Sequence, residues 1–218
     1  MTTSREDKLA LQLAELRVEA AYGFLPLARV MKERPRQHCR VALLGCTAQK
    51  AAWREPAAFL YSRSPFFRKA LEYAARTCDA ALVLSAKHGV LELHEEVEPY
   101  DLALADVTGQ AYRDWTARVD ARLAELLPQG YVAELVVLCG ERYVFKLARP
   151  EAWVWRETLV KHVKGRTLGL GIGERSAWLD EQLRHKLPPR HAHGEACHWG
   201  TLCRVPSEAL WGVKGGTP

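Results

Sequence analysis

Residues 80–104, AALVLSAKHGVLELHEEVEPYDLAL, carry the most structural information in this chain. Its apolar run from Ala80 to Leu84 predicts a buried β-strand, because short apolar runs bounded by turn residues are typical of parallel sheets. Polar side chains follow immediately in Ser85-Ala86-Lys87-His88-Gly89. Ligands of α/β proteins bind beyond the carboxyl ends of such strands. The stretch therefore predicts a central strand and a site at its end.

Two further apolar runs show the same arrangement of a strand followed by a polar or glycine-rich turn. Val41 to Leu44 continues into Gly45-Cys46-Thr47-Ala48-Gln49-Lys50, and Glu134 to Leu138 continues into Cys139-Gly140-Glu141-Arg142-Tyr143. A fourth, edge strand is predicted at Thr167 to Leu170. The helical patterns lie around these runs, at 5–33, 64–77, 108–127 and 174–187. The alternation predicts a three-layer α/β fold, with helices on both faces of a mainly parallel sheet of about four strands.

An apolar stripe at three- and four-residue spacing predicts the N-terminal helix: Leu9, Leu13, Leu16 and Ala20. Ser4 and Asp7 have the spacing of a helix-capping pair at its start. Gly23 and Pro26 are expected to bend or end it, because glycine and proline interrupt helices. The N-terminal region is therefore expected to be helical but not continuous.

The composition is that of an ordinary globular protein. The chain has 218 residues, of which 48% are hydrophobic and 26% are charged. No apolar stretch reaches the about 18 residues of a membrane span, and the charged first twenty residues do not resemble a secretory signal. We expect a cytoplasmic protein with an N-terminal helical segment at 1–36, an α/β core domain at 37–187 and a basic tail at 188–218. The oligomeric state stays open.

The net charge of +5 is concentrated towards the C-terminus. Residues 142–218 carry 13 Lys and Arg against 7 Asp and Glu. The same region contains five tryptophans: Trp153, Trp155, Trp178, Trp199 and Trp211. Basic residues among aromatic ones suit a phosphate backbone and unstacked bases. Nucleic acid is therefore an expected partner and a membrane is not, although a solvated basic surface with the tryptophans in the core is the alternative.

The turns after the three predicted strands should converge, because the carboxyl ends of parallel strands share one edge. Neither the GxxxxGK[ST] spacing of a phosphate-binding loop nor the GxGxxG spacing of a dinucleotide site is present. Lysines at this edge can hold a phosphate, and tyrosines can stack on a base or pack in the core. The candidate binding residues are Cys46, Lys50, Ser85, Tyr100, Gly140 and Tyr143.

Four residues of the opening stretch are candidates for proton transfer or charge stabilisation. His88 can donate or accept a proton near neutral pH, or simply be a hydrogen-bonded turn residue. Lys87 can neutralise a leaving anion. Glu98 and Asp101 are three residues apart, and if both point inward their like charges raise one pKa. Alternatively, these carboxylates pair with Lys87 or cap the following turn.

A cluster of histidines and cysteines near the C-terminus has enough donors for a tetrahedral zinc site. The cluster contains His191, His193, Cys197, His198 and Cys203. Its spacing matches no standard zinc finger. A tail without metal is the alternative, and no cofactor is predicted for the core.

Five blocks occur in order along the chain: LLGCTAQK at 43–50, Tyr61 with SPFFRKAL at 64–71, LSAKHGVL at 84–91, EPYDLAL at 98–104 and LGIGERSAWL at 170–179. This order resembles the YaaA-like peroxide-stress proteins and a related bacterial and phage family of uncharacterised function. The resemblance spans roughly residues 40–180 and adds Tyr61 to the binding candidates. More distantly, the core is similar to an accessory domain of archaeal tRNA transglycosylases, which has been likened to the uracil-DNA glycosylase fold.

The resemblance implies DNA binding and protection against oxidative DNA damage, and the fold likeness implies cleavage of an N-glycosidic bond after base extrusion. Asp101 would then stabilise the sugar cation or orient water, while Lys87 or His88 neutralises the departing base. Tyr100 or Tyr143 would stack on that base. Glu98 completes the catalytic candidates. Two alternatives stay open: a non-catalytic DNA-binding protein, and an enzyme that acts on a free nucleoside or nucleotide.

Overall fold

The computed structural model describes residues 4–33, 39–126, 133–144 and 171–185. Within these ranges helices and strands alternate along most of the chain. In order they are α1 (Arg5–Tyr22), α2 (Leu27–Glu33), β1 (Cys39–Gly45), β2 (Glu55–Pro56), α3 (Ala57–Leu60), α4 (Pro65–Thr77), β3 (Ala80–Ser85), β4 (Gly89–Glu92), β5 (Glu96–Val97), α5 (Gly109–Leu126), β6 (Ala133–Leu138), α6 (Glu141–Val144) and α7 (Ile172–Arg184). Two short 3₁₀ turns lie at Tyr61–Arg63 and Leu104–Asp106.

The main sheet has the strand order β4-β3-β1-β6. β1 pairs in parallel with β3 on one side and with β6 on the other, so that Leu44 lies opposite both Val83 and Leu138. β2 and β5 form a separate two-stranded antiparallel pair. The three predicted strands are confirmed, and their carboxyl ends lie at one edge of the sheet.

The fourth strand of the described sheet is β4, which pairs antiparallel with β3. The sequence did not predict this hairpin. Gly89 adopts a φ of 80°, in the left-handed region that favours glycine, as the chain reverses after β3. The edge strand predicted at Thr167 to Leu170 lies outside the described residues.

Alternate residues of the strands fill two hydrophobic layers, one on each face of the sheet. One layer packs against α2 and α5 and takes these strand residues: Val41, Leu43, Leu82, Leu84, Leu135 and Val137. The other packs against α1, α3, α4 and α7 and takes these: Ala42, Leu44, Ala81, Val83, Val136 and Leu138. The predicted α/β fold with helices on both faces is therefore confirmed.

Helix α1 begins with the predicted capping pair, in which the Asp7 N–H donates to Ser4 Oγ at 3.0 Å. It ends at Gly23, whose φ of 68° is left-handed. The apolar stripe that predicted this helix faces solvent, with Leu13 54% and Leu16 60% exposed. Ala14 and Val18 are the residues of α1 that are buried. The helix was predicted correctly, but the face that it buries was not.

The helix boundaries agree closely with the sequence for α4 and less closely for α7. Ser64 caps α4 and Pro65 is its first residue. α7 begins two residues before the predicted start at 174 and ends at Arg184. Among the described helices, none combines the length and the apolar character that a bilayer crossing requires. The predicted tail at 188–218 lies outside the described residues.

Candidate functional site

The turns after the three parallel strands meet around Cys46, which follows β1. The Cys46 N–H donates to the Leu84 carbonyl of β3 at 2.9 Å. The Ala86 N–H in turn donates to Cys46 Sγ at 3.4 Å, and Tyr143 Oη lies 3.2 Å from the same sulfur. The convergence expected from the parallel arrangement is therefore present, and it brings residues nearly a hundred positions apart into contact.

Gly45 allows the ends of β1 and β6 to approach closely. A Cβ built on Gly45 would lie 3.0 Å from Cys139 Cβ, which is tighter than side-chain contacts normally are. Cys139 itself is buried, and burial raises the pKa of its thiol to about 12. Cys139 is therefore a packing residue, whereas the Cys46 thiol is partly exposed at the edge.

Three hydroxyl groups form a hydrogen-bonded chain beneath the edge, which we call the hydroxyl chain: Tyr61, Tyr100 and Ser85. Tyr61 Oη lies 2.9 Å from Tyr100 Oη, which lies 2.8 Å from Ser85 Oγ. The His88 N–H donates to Ser85 Oγ at 3.0 Å. Tyr61 and Ser85 are completely buried. All three residues were candidates from the sequence, and the structure brings them together.

Burial keeps the tyrosines of this region protonated. It raises the pKa of Tyr61 to about 12 and also raises the pKa values of Tyr100 and Tyr143. The end of β3 is fixed further by Trp115, whose indole N–H donates to the Ser85 carbonyl at 2.8 Å. Tyr143 also packs edge-on against Trp115, with ring centroids 6.1 Å apart. The tyrosines therefore act as neutral hydrogen-bonding groups.

Two lysines lie around the Tyr100 ring. Lys50 Nζ is 4.3 Å from the ring centroid and Lys87 Nζ is 5.7 Å from it. Such cation–π contacts contribute about 0.5–1 kcal/mol at exposed sites, enough to bias a flexible lysine towards one position. Neither lysine forms an ion pair with any carboxylate of the described residues. The described part of the chain therefore leaves their charges without a carboxylate to neutralise them.

His88 contacts the same ring, edge to face, with centroids 5.4 Å apart. Partial burial, and next the neighbouring Lys87 ammonium, hold the pKa of His88 below its usual value. The imidazole is therefore mainly neutral at pH 7, so it can accept a proton or a hydrogen bond. Of the two neighbouring residues His88 and Lys87, it is therefore Lys87 that carries a positive charge at pH 7.

The two candidate carboxylates, Glu98 and Asp101, are both exposed. Neither forms a hydrogen bond or an ion pair with another described residue, so the inward-facing pair considered from the sequence does not form. The alternative pairing with Lys87 does not form either. Tyr100, between them, is the member of this block whose hydroxyl reaches the interior. Asp101 directly follows it, at the exposed border of the site.

Arg175 of α7 also lies at this edge, although no role was predicted for it from the sequence. Its Nη1 lies 3.3 Å from the position that a Cβ on Gly140 would occupy, and its Cζ lies 5.6 Å from the centroid of the Phe66 ring. The sequence signal was an arginine in the first turn of a helix that follows Gly171 and Gly173. We use the name cationic rim for Lys50, Lys87 and Arg175.

The described ranges contain no group of three His, Cys, Asp or Glu side chains placed to hold a metal ion. The C-terminal candidates for zinc, His191, His193, Cys197 and Cys203, lie outside those ranges. The described site is therefore an arrangement of cations, tyrosines and a partly exposed thiol.

Comparison with known proteins identifies a family but not an activity. Neither a curated protein nor a solved structure matches the chain. A model of the family of unknown function DUF6884 matches residues 41–181, about two thirds of the chain. The matched region begins in β1 and contains the hydroxyl chain, the cationic rim and most of α7. The chain therefore belongs to the DUF6884 family.

Proposed function

We propose that this protein binds DNA at the shared carboxyl edge of its parallel strands and cleaves the N-glycosidic bond of a damaged or modified base. The observation that carries the proposal is the placement of Lys50 and Lys87 around Tyr100, 4.3 and 5.7 Å from its ring centroid. Ammonium groups without carboxylate partners attract phosphates, and a half-exposed aromatic ring beside them offers a stacking surface for a base.

The geometry favours a base that has left the duplex. The hydroxyl group of Tyr100 is hydrogen-bonded to Tyr61 and Ser85, which holds its ring in position. A stacked base inside a duplex cannot reach such a ring, and enzymes that act on a base therefore extrude it or use single strands. Lys50 and Lys87 would hold the phosphates beside the extruded nucleotide.

In the proposed reaction, water attacks C1′ of the sugar while the bond from C1′ to the base nitrogen breaks. The bonding electrons leave with the base, the hydroxyl stays on C1′, and the proton from water passes to the base. The Asp101 carboxylate stabilises the positive charge on the sugar or orients the water. Lys87 stabilises the negative charge on the departing base, because His88 is mainly neutral at pH 7.

The proposal is tested by incubating the purified protein with undamaged, oxidised, alkylated and hypermodified DNA, then assaying abasic sites and released bases. Release is expected from at least one modified substrate. Asp101→Asn should abolish that release while leaving DNA affinity nearly intact. The fold should tolerate the change, because the residue is exposed and forms no hydrogen bond or ion pair with a described residue. Asp106→Asn, at an exposed residue nearby in the chain, is the matched control and should retain release. Release that persists in Asp101→Asn contradicts the catalytic assignment.

One observation favours a second function, DNA binding without chemistry. Glu98 and Asp101 are exposed and make no polar contact with described residues, whereas catalytic carboxylates are usually held by their neighbours. On this alternative the cationic rim only holds phosphates. Affinity that falls steeply with salt, together with no product on any modified duplex, would identify the binding protein and reject the glycosidase.

A further inference from the structure

Each of the three parallel strands ends beside a cationic side chain. Lys50 follows β1 and Lys87 follows β3. Arg175 comes from α7, yet its guanidinium reaches Gly140 in the turn after β6. Because β6 lies on the opposite side of β1 from β3, the cationic rim extends along the edge across all three strands.

Helix α7 holds Arg175 in place through its packing on α4. Lys69 of α4 forms an ion pair with Asp180 at 2.7 Å and donates to Ser176 Oγ at 3.0 Å. Trp178 packs against Tyr73 of α4 with ring centroids 5.3 Å apart, and Leu179 is completely buried. The helix that carries Arg175 is therefore anchored on α4 through residues that directly follow Arg175.

The Arg175 guanidinium has no anionic partner among the described residues. Its Nε is buried and donates to no acceptor in the described ranges, although buried N–H groups are normally paired. The adjacent carboxylate, Glu174, accepts a hydrogen bond from the Gly171 N–H at 2.9 Å. The described neighbours of the Arg175 guanidinium include the Phe66 ring and Gly140, neither of which carries a negative charge. The described residues therefore offer no acceptor for this buried donor and no anion for this charge.

We infer that Arg175 binds a second phosphate group of the ligand, at the end of β6. A guanidinium is planar and presents parallel N–H donors that match two phosphate oxygens, and the Phe66 ring, 5.6 Å from Cζ, limits where that fork can lie. Gly140 has no side chain to fill the space beside Nη1. The inference rests on the proposed function for the source of the phosphate, a nucleic acid, and extends the ligand from the Tyr100 ring to β6.

The direct test is the NMR signal of the Arg175 Nε–H in the full chain labelled with ¹⁵N. The signal is assigned by its loss in Arg175→Lys. We expect it to shift saturably with inorganic phosphate, with a nucleoside 5′-monophosphate and with a short single-stranded oligonucleotide, and not with potassium chloride at equal ionic strength. The Nε–H of Arg184, in the last turn of the same helix, is the internal control and should not shift.

Affinity measurements provide the second readout. Arg175→Gln should weaken oligonucleotide binding by about tenfold, the effect of losing a charge-assisted hydrogen-bonded contact. Arg175→Lys should recover little, because an ammonium lacks the planar fork. Arg184→Gln is the matched control and should bind like the unmodified protein. Thermal melting checks that each variant is folded.

The outcomes separate this inference from the proposed function. A saturable shift with inorganic phosphate or the nucleotide supports the Arg175 site even if DNA does not bind. A shift with the oligonucleotide alone also supports it and identifies a polymer as the ligand. If no probe shifts the signal and Arg175→Gln binds DNA normally, the inference is wrong, while DNA binding by the protein still stands.

Discussion

At the carboxyl edge of the sheet, a lower layer of hydroxyl groups lies beneath an upper layer of cations. The two layers differ in whether the described residues supply their partners. In the lower layer, the hydroxyl chain of Tyr61, Tyr100 and Ser85 finds its hydrogen-bond partners within the protein. In the upper layer, the cationic rim forms no ion pair with any described carboxylate. Buried polar groups in proteins are normally hydrogen-bonded, and unpaired charges of one sign attract ligands of the opposite charge.

This difference separates a structural layer from a binding layer that share one aromatic ring. The hydroxyl of Tyr100 belongs to the lower layer, and its ring belongs to the upper layer. Substitutions in the lower layer should therefore reduce the free energy of unfolding. Substitutions in the upper layer should change ligand binding and leave that free energy nearly unchanged.

The largest effect is expected for Tyr61→Ala, which removes a completely buried ring packed 5.6 Å from Phe67. We expect a loss of about 4 kcal/mol in the free energy of unfolding, measured by urea denaturation. Tyr61→Phe is the matched control, because it removes only the hydroxyl and should cost about 1 kcal/mol. Equal losses for the two variants would contradict the view that the ring contributes most through packing.

A smaller loss, about 2 kcal/mol, is expected for Ser85→Ala. This variant leaves the Tyr100 hydroxyl and the His88 N–H without their shared partner in a buried position. Ser62→Ala is the control, since the Ser62 hydroxyl donates to a carbonyl in a less buried turn. Should Ser85→Ala be as stable as the unmodified protein, the hydroxyl chain would not be a structural layer.

The smallest effect is on a titration within the upper layer. Partial burial lowers the pKa of His88 most, and the Lys87 ammonium lowers it next, so Lys87→Met should raise that pKa part of the way towards its usual value. NMR titration of the imidazole measures this change directly. Lys32→Met, at an exposed lysine of α2, should leave the His88 pKa unchanged. A His88 pKa that does not respond to Lys87→Met would show that the Lys87 ammonium does not act on the imidazole.

The sequence was sufficient to predict the central sheet and the convergence of its turns. Fully apolar runs such as Ala80 to Leu84 have few alternatives to a buried strand, and parallel pairing then brings the carboxyl ends together. β4 was missed because its pairing depends on a chain reversal at Gly89, whose positive φ is not visible in the sequence.

Periodicity showed that α1 is a helix but not which of its faces is buried. Leu13 and Leu16 have the spacing of a buried stripe, yet they are exposed, and Ala14 and Val18 make the contact. The buried face of a helix depends on which neighbours the tertiary structure provides. The face of α1 that is buried against the protein contains Ala14 and Val18, so the leucines stay in solvent.

Arg175 was missed as a rim residue for a related reason. It is far from Gly140 in sequence, and only the packing of α7 on α4 brings the two together. The exposure of Glu98 and Asp101 could not be predicted from the sequence either. Nothing in the sequence around Tyr100 indicates whether a neighbouring carboxylate faces the protein interior or the solvent. Sequence reasoning therefore found most residues of the site but not the arrangement of its charges.

The salt dependence of single-stranded oligonucleotide binding shows whether the cationic rim binds a phosphate backbone. Each phosphate contact contributes about 0.7 to the slope of log affinity against log salt. The Lys50→Met/Lys87→Met double variant should therefore show a slope shallower by about 1.4, with thermal stability unchanged. Lys8→Met/Lys32→Met, at two exposed lysines of α1 and α2, is the charge-matched control. Identical slopes for the unmodified protein and the Lys50→Met/Lys87→Met variant would show that these two lysines do not contact phosphates.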